Sequence, residues 1–495
     1  MDRLPLLLGI GSAVVLLAVV AVRFSTRLGL PSLLLYLGIG VLIGEAGLGI
    51  RFDDAALTQA LGVAALVLIL ADGGLSTRWS TVRPALGLGI ALSTISVAVS
   101  ITVTGYALHW LLGLDLRVAF LWGAVLASTD AAAVFSVLRG LGLGGRLVGA
   151  LELESGLNDA PAFIAVLLLS AGTAVSWTDP LLVVYELVLG GVLGVVIGRL
   201  GATGLRRSAL PATGLYPLAT LAVCVGAYAL GQSLHASGLL ACYVAALVLG
   251  NAALPHREGT RSFAEGVGWL AQIGLFVLLG LYVSPDRLLP AVVPAVIAAA
   301  VLLLVARPLS VVAAAVWFRV PWQEQAFLSW AGLRGAVPIV LALVPLTGGL
   351  PGARELVDAV FVLVVVLTVV QGTTLPAVAK ALGLAKPPVQ EIEVDAAPLE
   401  ALRADLLQMT VPQGSRMHGV YVRELRLPEG TGLSLVVRRG ASFTPQADTR
   451  IQEGDQLLVV ATATAREAAE RRLRAVDRSG RLARWRGDSG TPTSP

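Results

Sequence analysis

Two carboxylates and an amide stand close together in one apolar stretch of the chain, within Glu154–Asp159 (ESGLND). An ionised side chain at the centre of a bilayer costs about 2.5–3.5 kcal/mol on insertion scales, so such residues are kept chiefly where they handle ions, protons or substrate. On a helix, Glu154 and Asn158 share one face, and Ser155 and Asp159 share another. Asp159 is therefore the first candidate for binding an ion or a proton.

A second polar cluster, Ser128-Thr129-Asp130, interrupts another apolar stretch. Unwound backbone at membrane depth is tolerated where it lines a cavity. A break here would present carbonyl oxygens and the Thr129 hydroxyl to a desolvated cation, and hard cations prefer oxygen ligands. We expect Asp130 and Ser155 to supply further oxygens beside Asp159.

A single buried carboxyl can hold a proton or a metal ion, but not both. Desolvation favours the protonated form, whereas a bound cation favours the ionised form. This competition alone couples the movement of one proton in one direction to that of one monovalent cation in the other. Asn158, a neutral amide beside the acid, is expected to brace the broken span.

Two arginines, Arg307 and Arg334, lie inside apolar stretches. Arginine stays charged, so neither is a good candidate for the titrating group. We expect one of them to hold Glu154 ionised and in place, and their residue types leave open which one. The alternative is that they snorkel to an interface.

Glycine and proline flank Arg334 in the run Gly332–Pro338, which predicts a kink or break. The fifth and twelfth spans would then be broken helices in corresponding positions of two halves, as in inverted-repeat transporters. A kinked packing helix is the alternative for the Gly332–Pro338 run.

The composition places these clusters in a membrane protein. Of 495 residues, 56% are hydrophobic and 14% are charged, whereas soluble domains carry about 25% charged residues. Continuous apolar runs of about 20 residues recur from Leu4 to Ala385, each long enough to cross a bilayer, and their lack of alternation argues against a β-barrel. We predict an all-α polytopic fold with about thirteen spans, at residues 5–22, 30–48, 56–75, 85–112, 117–138, 146–171, 180–201, 214–232, 236–253, 263–283, 289–318, 323–346 and 355–384.

The basic residues predict the orientation of these spans. Fourteen Lys and Arg residues fall in one set of alternate loops and five in the other. The larger set is Arg23, Arg27, Arg78, Arg83, Arg139, Arg146, Arg199, Arg206, Arg207, Arg257, Arg261, Arg319, Lys380 and Lys386. By the positive-inside rule that set is cytoplasmic, which places the N-terminus outside and the C-terminus inside. The same bias accounts for the pI of 9.3 without nucleic-acid binding.

The composition changes after Lys386. We predict a linker over 386–401, a small soluble α+β domain over 402–477 and a disordered tail over 478–495. The predicted elements of the domain are four strands and a terminal helix: Leu406–Val411, Gly432–Arg438, Ala441–Thr444, Gln456–Ala461 and the helix Thr464–Val476.

Three motifs together resemble the NhaP/NHE branch of monovalent cation:proton antiporters: Ser-Thr-Asp (128–130), Glu-Ser-Gly-Leu-Asn-Asp-Ala-Pro (154–161) and Gly-Leu-Arg-Gly-Ala (332–336). The resemblance covers residue 1 to about residue 385. It implies a thirteen-helix homodimer, set in the lipid of a bacterial plasma membrane. It also implies that a core domain of spans 4–6 and 11–13 slides against a dimerisation domain of spans 1–3 and 8–10.

The same resemblance assigns roles to residues. It implies that Asp159 exchanges the cation for the proton, with Thr129, Asp130 and Ser155 as further ion ligands. It also implies that Arg307 pairs with Glu154, which holds Asn158 where the broken helices cross. The order Asn158-Asp159, rather than two aspartates, marks the branch regarded as electroneutral. The resemblance also places Ser128 and Arg334 in supporting positions.

The C-terminal domain resembles the TrkA-C type of lobe found in potassium-conductance regulators, on the motifs Val411–Ser415, Leu425–Gly430 and Ile451–Asp455. No glycine-rich dinucleotide fingerprint precedes it. The resemblance implies the potassium/proton subgroup, with transport gated by a small cytoplasmic ligand such as a cyclic dinucleotide or another nucleotide.

Two other functions fit the sequence less well. A ligand-gated potassium channel without proton coupling would also fit the C-terminal domain, but no selectivity-filter run of the Thr-Val-Gly-Tyr-Gly type occurs. An intramembrane enzyme is disfavoured because no histidine stands next to a plausible nucleophile; the histidines are His109, His235, His256 and His418. No cofactor or resident metal is expected. Oxygen ligands alone leave the choice between K⁺ and Na⁺ open.

Overall fold

The computed structural model describes residues 4–28, 31–45, 47–50, 52–130, 143–172, 176, 178–385, 404–462, 464–483 and 485–487. The chain divides into two compact units, Met1–Val389 and Gln390–Pro495. The predicted linker, 386–401, lies outside the described residues. The first unit is helical, and the second combines a sheet with a helix.

The helices of the first unit follow the apolar runs of the sequence. In chain order they are α1 Leu4–Leu28, α2 Ser32–Ile43, α3 Ala55–Ser76, α4 Trp79–Val82, α5 Leu86–Leu112, α6 Leu116–Val125, α7 Gly145–Ser170, α8 Asp179–Arg207, α9 Leu215–Ser233, α10 Gly238–Gly250, α11 Arg257–Tyr282, α12 Pro285–Val301, α13 Arg307–Ala315, α14 Trp322–Trp330, α15 Val337–Thr347 and α16 Ala353–Ala381. A π-helical turn, Leu302–Ala306, joins α12 to α13. Within the described ranges, eight helical stretches are long and apolar enough to cross a bilayer. The all-α membrane fold is confirmed, and the count of thirteen spans stays a prediction.

Close helix packing in this unit rests on small residues. Gly190, Gly194 and Gly198 line one face of α8 at four-residue intervals. A Cβ on Gly190 would lie 2.6 Å from the Ser237 carbonyl oxygen, and one on Gly194 would lie 2.7 Å from that of Ala241. In a bilayer, glycines of this spacing let two helix backbones approach closely, so they fix α8 against α10.

One helix ends, and another is interrupted, where the sequence predicts a break. Helix α6 ends at Val125, and the backbone of Ser128–Asp130 is not helical. Helix α14 ends at Trp330, and α15 begins at Val337 after the non-helical segment Ala331–Ala336. The prediction of a break in the twelfth span is confirmed. The second half of the fifth span lies outside the described residues.

The second unit is a small α+β domain, as predicted. Its strands are β1 Ala404–Thr410, β2 Thr431–Arg438, β3 Ala441–Phe443 and β4 Gln456–Thr462, and its helix is α17 Arg466–Ser479. The sheet is antiparallel, with strand order β1-β4-β2-β3. Its core contains Val436, Leu457, Val459, Leu473 and Val476.

A buried ion pair links the end of β2 to the turn that precedes β4. The Asp455 carboxylate accepts hydrogen bonds from Nε and Nη2 of Arg438, each 2.8 Å long, and from the Gln452 backbone N–H at 2.8 Å. Burial alone raises the pKa of Asp455, but these hydrogen bonds outweigh it and bring the pKa below its ordinary value. The Ile451–Asp455 motif is thus a structural element of the domain.

The end of the domain differs from the sequence prediction. Helix α17 continues to Ser479, and a 3₁₀ turn follows over Gly480–Leu482. The side chain of Ala483 is fully buried. The chain just beyond residue 478 is therefore folded, because small residues there pack onto the domain, whereas the arginine- and glycine-rich composition predicts disorder. Residues 488–495 lie outside the described residues.

Candidate functional site

The structure brings Asp159 together with the polar cluster of the α6 break. Helix α7 carries Asp159, whose side chain is 4% exposed. The hydroxyl of Ser128 donates a short hydrogen bond to Oδ1 of Asp159. From the same helix, Ser155 Oγ donates to the Thr129 carbonyl oxygen at 3.2 Å. The Ser128 hydroxyl thus contacts the buried acid, and Ser155 ties the helix of Asp159 to the Thr129 backbone.

Asn158 holds the Thr129 side chain in the non-helical segment after α6. Its Nδ2 donates to Thr129 Oγ1 at 2.6 Å, while its Oδ1 is buried and accepts no hydrogen bond from the described residues. The Glu154 carboxylate accepts no hydrogen bond from the Asn158 amide, whose Nδ2 is taken up by Thr129. The expected link from Glu154 to Asn158 therefore runs through their shared helix and not through a side-chain hydrogen bond.

The two chain breaks cross at this site. The backbone N–H of Asp130 donates to the Leu333 carbonyl oxygen at 2.8 Å. Arg334, which is 1% exposed, donates from Nη1 to the carbonyl oxygens of Ser128 (2.5 Å) and Ala127 (3.1 Å). These carbonyls follow the C-terminal end of α6, where partial negative charge accumulates, so a guanidinium stabilises them. Arg334 thus holds the crossing together.

Glu154 pairs with Arg307. Nη1 of Arg307 lies 2.5 Å from Oε1 of Glu154, and the two side chains are 4% and 2% exposed. Arg307 also donates from Nη2 to the Leu328 carbonyl oxygen at 3.1 Å. Since α7 carries Glu154 and α13 carries Arg307, the pair ties the helix of Asp159 to the segment that leads to the second break. Buried charges of this kind are tolerated only when paired.

A cavity of about 360 Å³ reaches the site. Its lining includes Asp159, Asp130, Thr129 and Ser155, together with Ala336 and Val337 at the start of α15. An α-helix carries partial positive charge at its N-terminus, so the start of α15 contributes a fixed positive field to a site of two carboxylates.

Other carboxylates line the same cavity, and the sequence does not assign them to the site. They are Asp72 on α3, Glu152 on α7 and Glu265 on α11. Asp72 and the neighbouring Ser76 lie at the end of α3, next to the loop that contains Arg78. Of these three acids, the sequence singles out Asp72 alone, as an isolated acid that follows an apolar run. An acidic cavity raises the local concentration of cations.

Gly335 makes room for Asp130. A Cβ built on Gly335 would overlap with the Asp130 carboxylate. We therefore expect Gly335→Ala to displace this carboxylate and to weaken cation binding by about tenfold or more, since misplacement by an ångström is costly at a preorganised site. The measurement is cation-dependent thermal stabilisation of the purified protein. Gly226→Ala on α9 is the matched control, because a Cβ there meets open space. Equal cation stabilisation in the two variants would contradict the expectation.

Comparisons with known proteins identify the family of the chain. The family model described as "Sodium/hydrogen exchanger, transmembrane" matches residues 13–381, and the TrkA-C domain model matches residues 406–474. The chain is 36% identical to the K⁺/H⁺ antiporter NhaP of Alkalimonas amylolytica, over 93% of this chain and 82% of that protein. It is 34% identical to the K⁺/H⁺ antiporter NhaP2 of Shewanella oneidensis, over 97% of this chain and 85% of the relative.

The fold has a solved counterpart. The sodium proton antiporter MjNhaP1 of Methanocaldococcus jannaschii superposes with a TM-score of 0.68, over 77% of this chain and 99% of that one, at 20% sequence identity. This likeness concerns the fold of the helical unit. Together with the match of the family model to most of the chain, it leads to one conclusion: the chain belongs to the sodium/hydrogen exchanger family of multi-pass membrane antiporters and carries a TrkA-C domain.

Proposed function

We propose that this protein exchanges K⁺ for H⁺ across the bacterial plasma membrane, with Asp159 carrying the cation and the proton in turn. The observation that carries the proposal is the position of Asp159: a buried carboxylate, among oxygen donors, on the lining of a cavity. The names of the two bacterial relatives, both K⁺/H⁺ antiporters, favour K⁺ over Na⁺.

In the cation-loaded state, the carboxylates of Asp159 and Asp130 and the oxygens of Thr129 and Ser155 bind a partly dehydrated ion. Protonation of Asp159 removes its negative charge, which weakens the cation's site and releases the ion. Proton loss restores the site. Because one carboxyl changes its charge once per cycle, one monovalent cation is exchanged for one proton, and transport is electroneutral.

Exchange also requires that the site open to each side of the membrane in turn. In the proposed cycle, a homodimer holds its dimerisation domains fixed while each core domain slides through the bilayer. The N-terminus faces outward and the TrkA-C domain lies in the cytoplasm, where a small ligand regulates transport. The physiological role is cation, pH and cell-volume homeostasis.

Everted membrane vesicles containing a pH-sensitive dye test the proposal. We expect K⁺ to dissipate a preformed proton gradient more effectively than Na⁺ at equal concentration. Because the proposed exchange is electroneutral, its rate should not change when a permeant anion collapses the membrane potential. A chain ending near Ala385 should still exchange ions but lose regulation. K⁺ flux that is indifferent to the proton gradient would instead support the channel alternative and overturn the proposal.

A further inference from the structure

The C-terminal domain contains a cavity of its own, of about 370 Å³. It lies between the loop after β1 and the turn after α17. Three arginines and one histidine line it, against a single glutamate: Arg416, Arg481, Arg486, His418 and Glu424. This volume is within the range of sites for small organic ligands, about 300–1,000 Å³.

The positive charge of this cavity is only weakly compensated. Among the described residues, the guanidinium groups of Arg416 and Arg486 make no hydrogen bond or ion pair. Arg481 lies 3.9 Å from Glu424, and its side chain is 69% exposed. Exposed pairs of this length contribute little energy, about 0–1 kcal/mol. Three guanidinium groups thus converge on one space without a matching set of anions.

The main chain around Arg416 is fixed against the end of α17 and the turn that follows it. The Arg416 N–H donates to the Asp477 carbonyl oxygen at 3.0 Å, and the Ser415 hydroxyl donates to the Asp477 carboxylate. Gly480 adopts a positive φ of 64°, and a Cβ there would lie 3.1 Å from the Arg416 carbonyl oxygen. A glycine therefore allows the chain after α17 to turn back against the Arg416 loop.

His418 adds a further side chain that can form hydrogen bonds. Its Nδ1 accepts a hydrogen bond from the Glu453 backbone N–H at 3.2 Å. In the neutral imidazole the proton then resides on Nε2, which leaves that nitrogen as a donor. Apolar groups adjoin the basic ones: Leu482 lines the cavity, and Trp485, next to Arg486, is 89% exposed.

We propose that this cavity binds a phosphate group, carried by a soluble nucleotide-sized anion or by the headgroup of an anionic lipid. Guanidinium groups bind phosphate oxygens through paired, charge-assisted hydrogen bonds. Leu482, on the lining, provides apolar contact for the remainder of either ligand. Arg481 and Arg486 lie beyond residue 474, where the match to the TrkA-C model ends. The site therefore needs the extension of this chain as well as the domain.

The proposal deepens the proposed regulation by the C-terminal domain, but binding itself does not depend on transport. The test uses full-length protein in detergent, in two arms. One arm measures binding of radiolabelled ATP and of inorganic pyrophosphate by equilibrium dialysis. The other measures, by native mass spectrometry, how much added phosphatidylglycerol the protein retains relative to phosphatidylcholine.

The informative variant is Arg416→Glu/Arg486→Glu, which reverses two charges that make no hydrogen bond or ion pair with the described residues. Arg439→Glu, at an exposed arginine outside the cavity, is the matched control. We expect the double variant to bind the ligand at least about tenfold more weakly, because the loss of one charge-assisted hydrogen bond is enough for that change. The control should bind the ligand as wild type does. Loss in the ATP or pyrophosphate arm identifies a soluble ligand, and loss in the lipid arm identifies a headgroup. If the double variant equals the control in both arms, the proposal is wrong, whatever the vesicle assay shows.

Discussion

Asp159→Asn is expected to abolish cation-coupled proton movement, down to the background of vesicles that lack the protein. Asparagine has nearly the shape of aspartate and still accepts the hydrogen bond from Ser128, so the fold should survive. It cannot take up a proton or offer a negative charge to a cation, and these are the two states that exchange requires. The measurement is the recovery of dye fluorescence in everted vesicles after K⁺ addition.

The matched control is Glu265→Gln, the same change from acid to amide on the lining of the same cavity. Glu265 is exposed and does not contact the Ser128–Asp130 break, so this variant should still exchange ions, with at most a modest loss of apparent affinity from the reduced negative potential. Normal exchange by the Asp159→Asn variant would remove Asp159 from the mechanism. Equal loss in both variants would mean that the assay reports cavity charge alone.

Breaking the pair between Glu154 and Arg307 is expected to cost about 3–5 kcal/mol of stability, because each single change leaves one charge buried and unpaired. We expect Glu154→Leu and Arg307→Met to lower the apparent melting temperature of the purified protein strongly. The double variant should recover much of the loss, since an apolar pair of similar volume removes both charges.

An exposed ion pair of the same chain provides the control. Glu467 and Arg471 lie 3.4 Å apart on α17, with side chains 86% and 49% exposed. Arg471→Met should change stability by no more than about 1 kcal/mol. If the double variant at Glu154 and Arg307 is as unstable as the sum of its single changes, the two residues act independently and the pair does not hold the site.

The sequence predicts much of this architecture because membrane burial constrains residue type strongly. Continuous apolar runs predict the helices, and the Gly332–Pro338 run predicts the break between α14 and α15. The polar residues that meet at the crossing stand out because any ionisable group in such a run is costly. The strands of the C-terminal domain follow from alternation and turn residues.

Other features depend on three-dimensional packing that residue types alone do not determine. Arg307 and Arg334 are equivalent partners for Glu154 by composition. Only the crossing of the breaks directs Arg334 to backbone carbonyls and leaves Arg307 for the carboxylate. In the sequence, Glu152 and Glu265 are ordinary polar residues of helices. The structure shows that they line the same cavity. The extension after Ser479 is misjudged because composition does not reveal that Ala483 is buried.

The interrupted helices have a consequence for how the exchanger responds to acidity. The end of α6 at Val125 and the beginning of α15 at Val337 provide peptide dipoles whose strength is the same at every pH. Together with Arg334, they form an electrostatic background that stays constant while the carboxyl groups of the site gain or lose protons. On the proposed function, we therefore expect acidity to change the charge of these acids and not the framework around them.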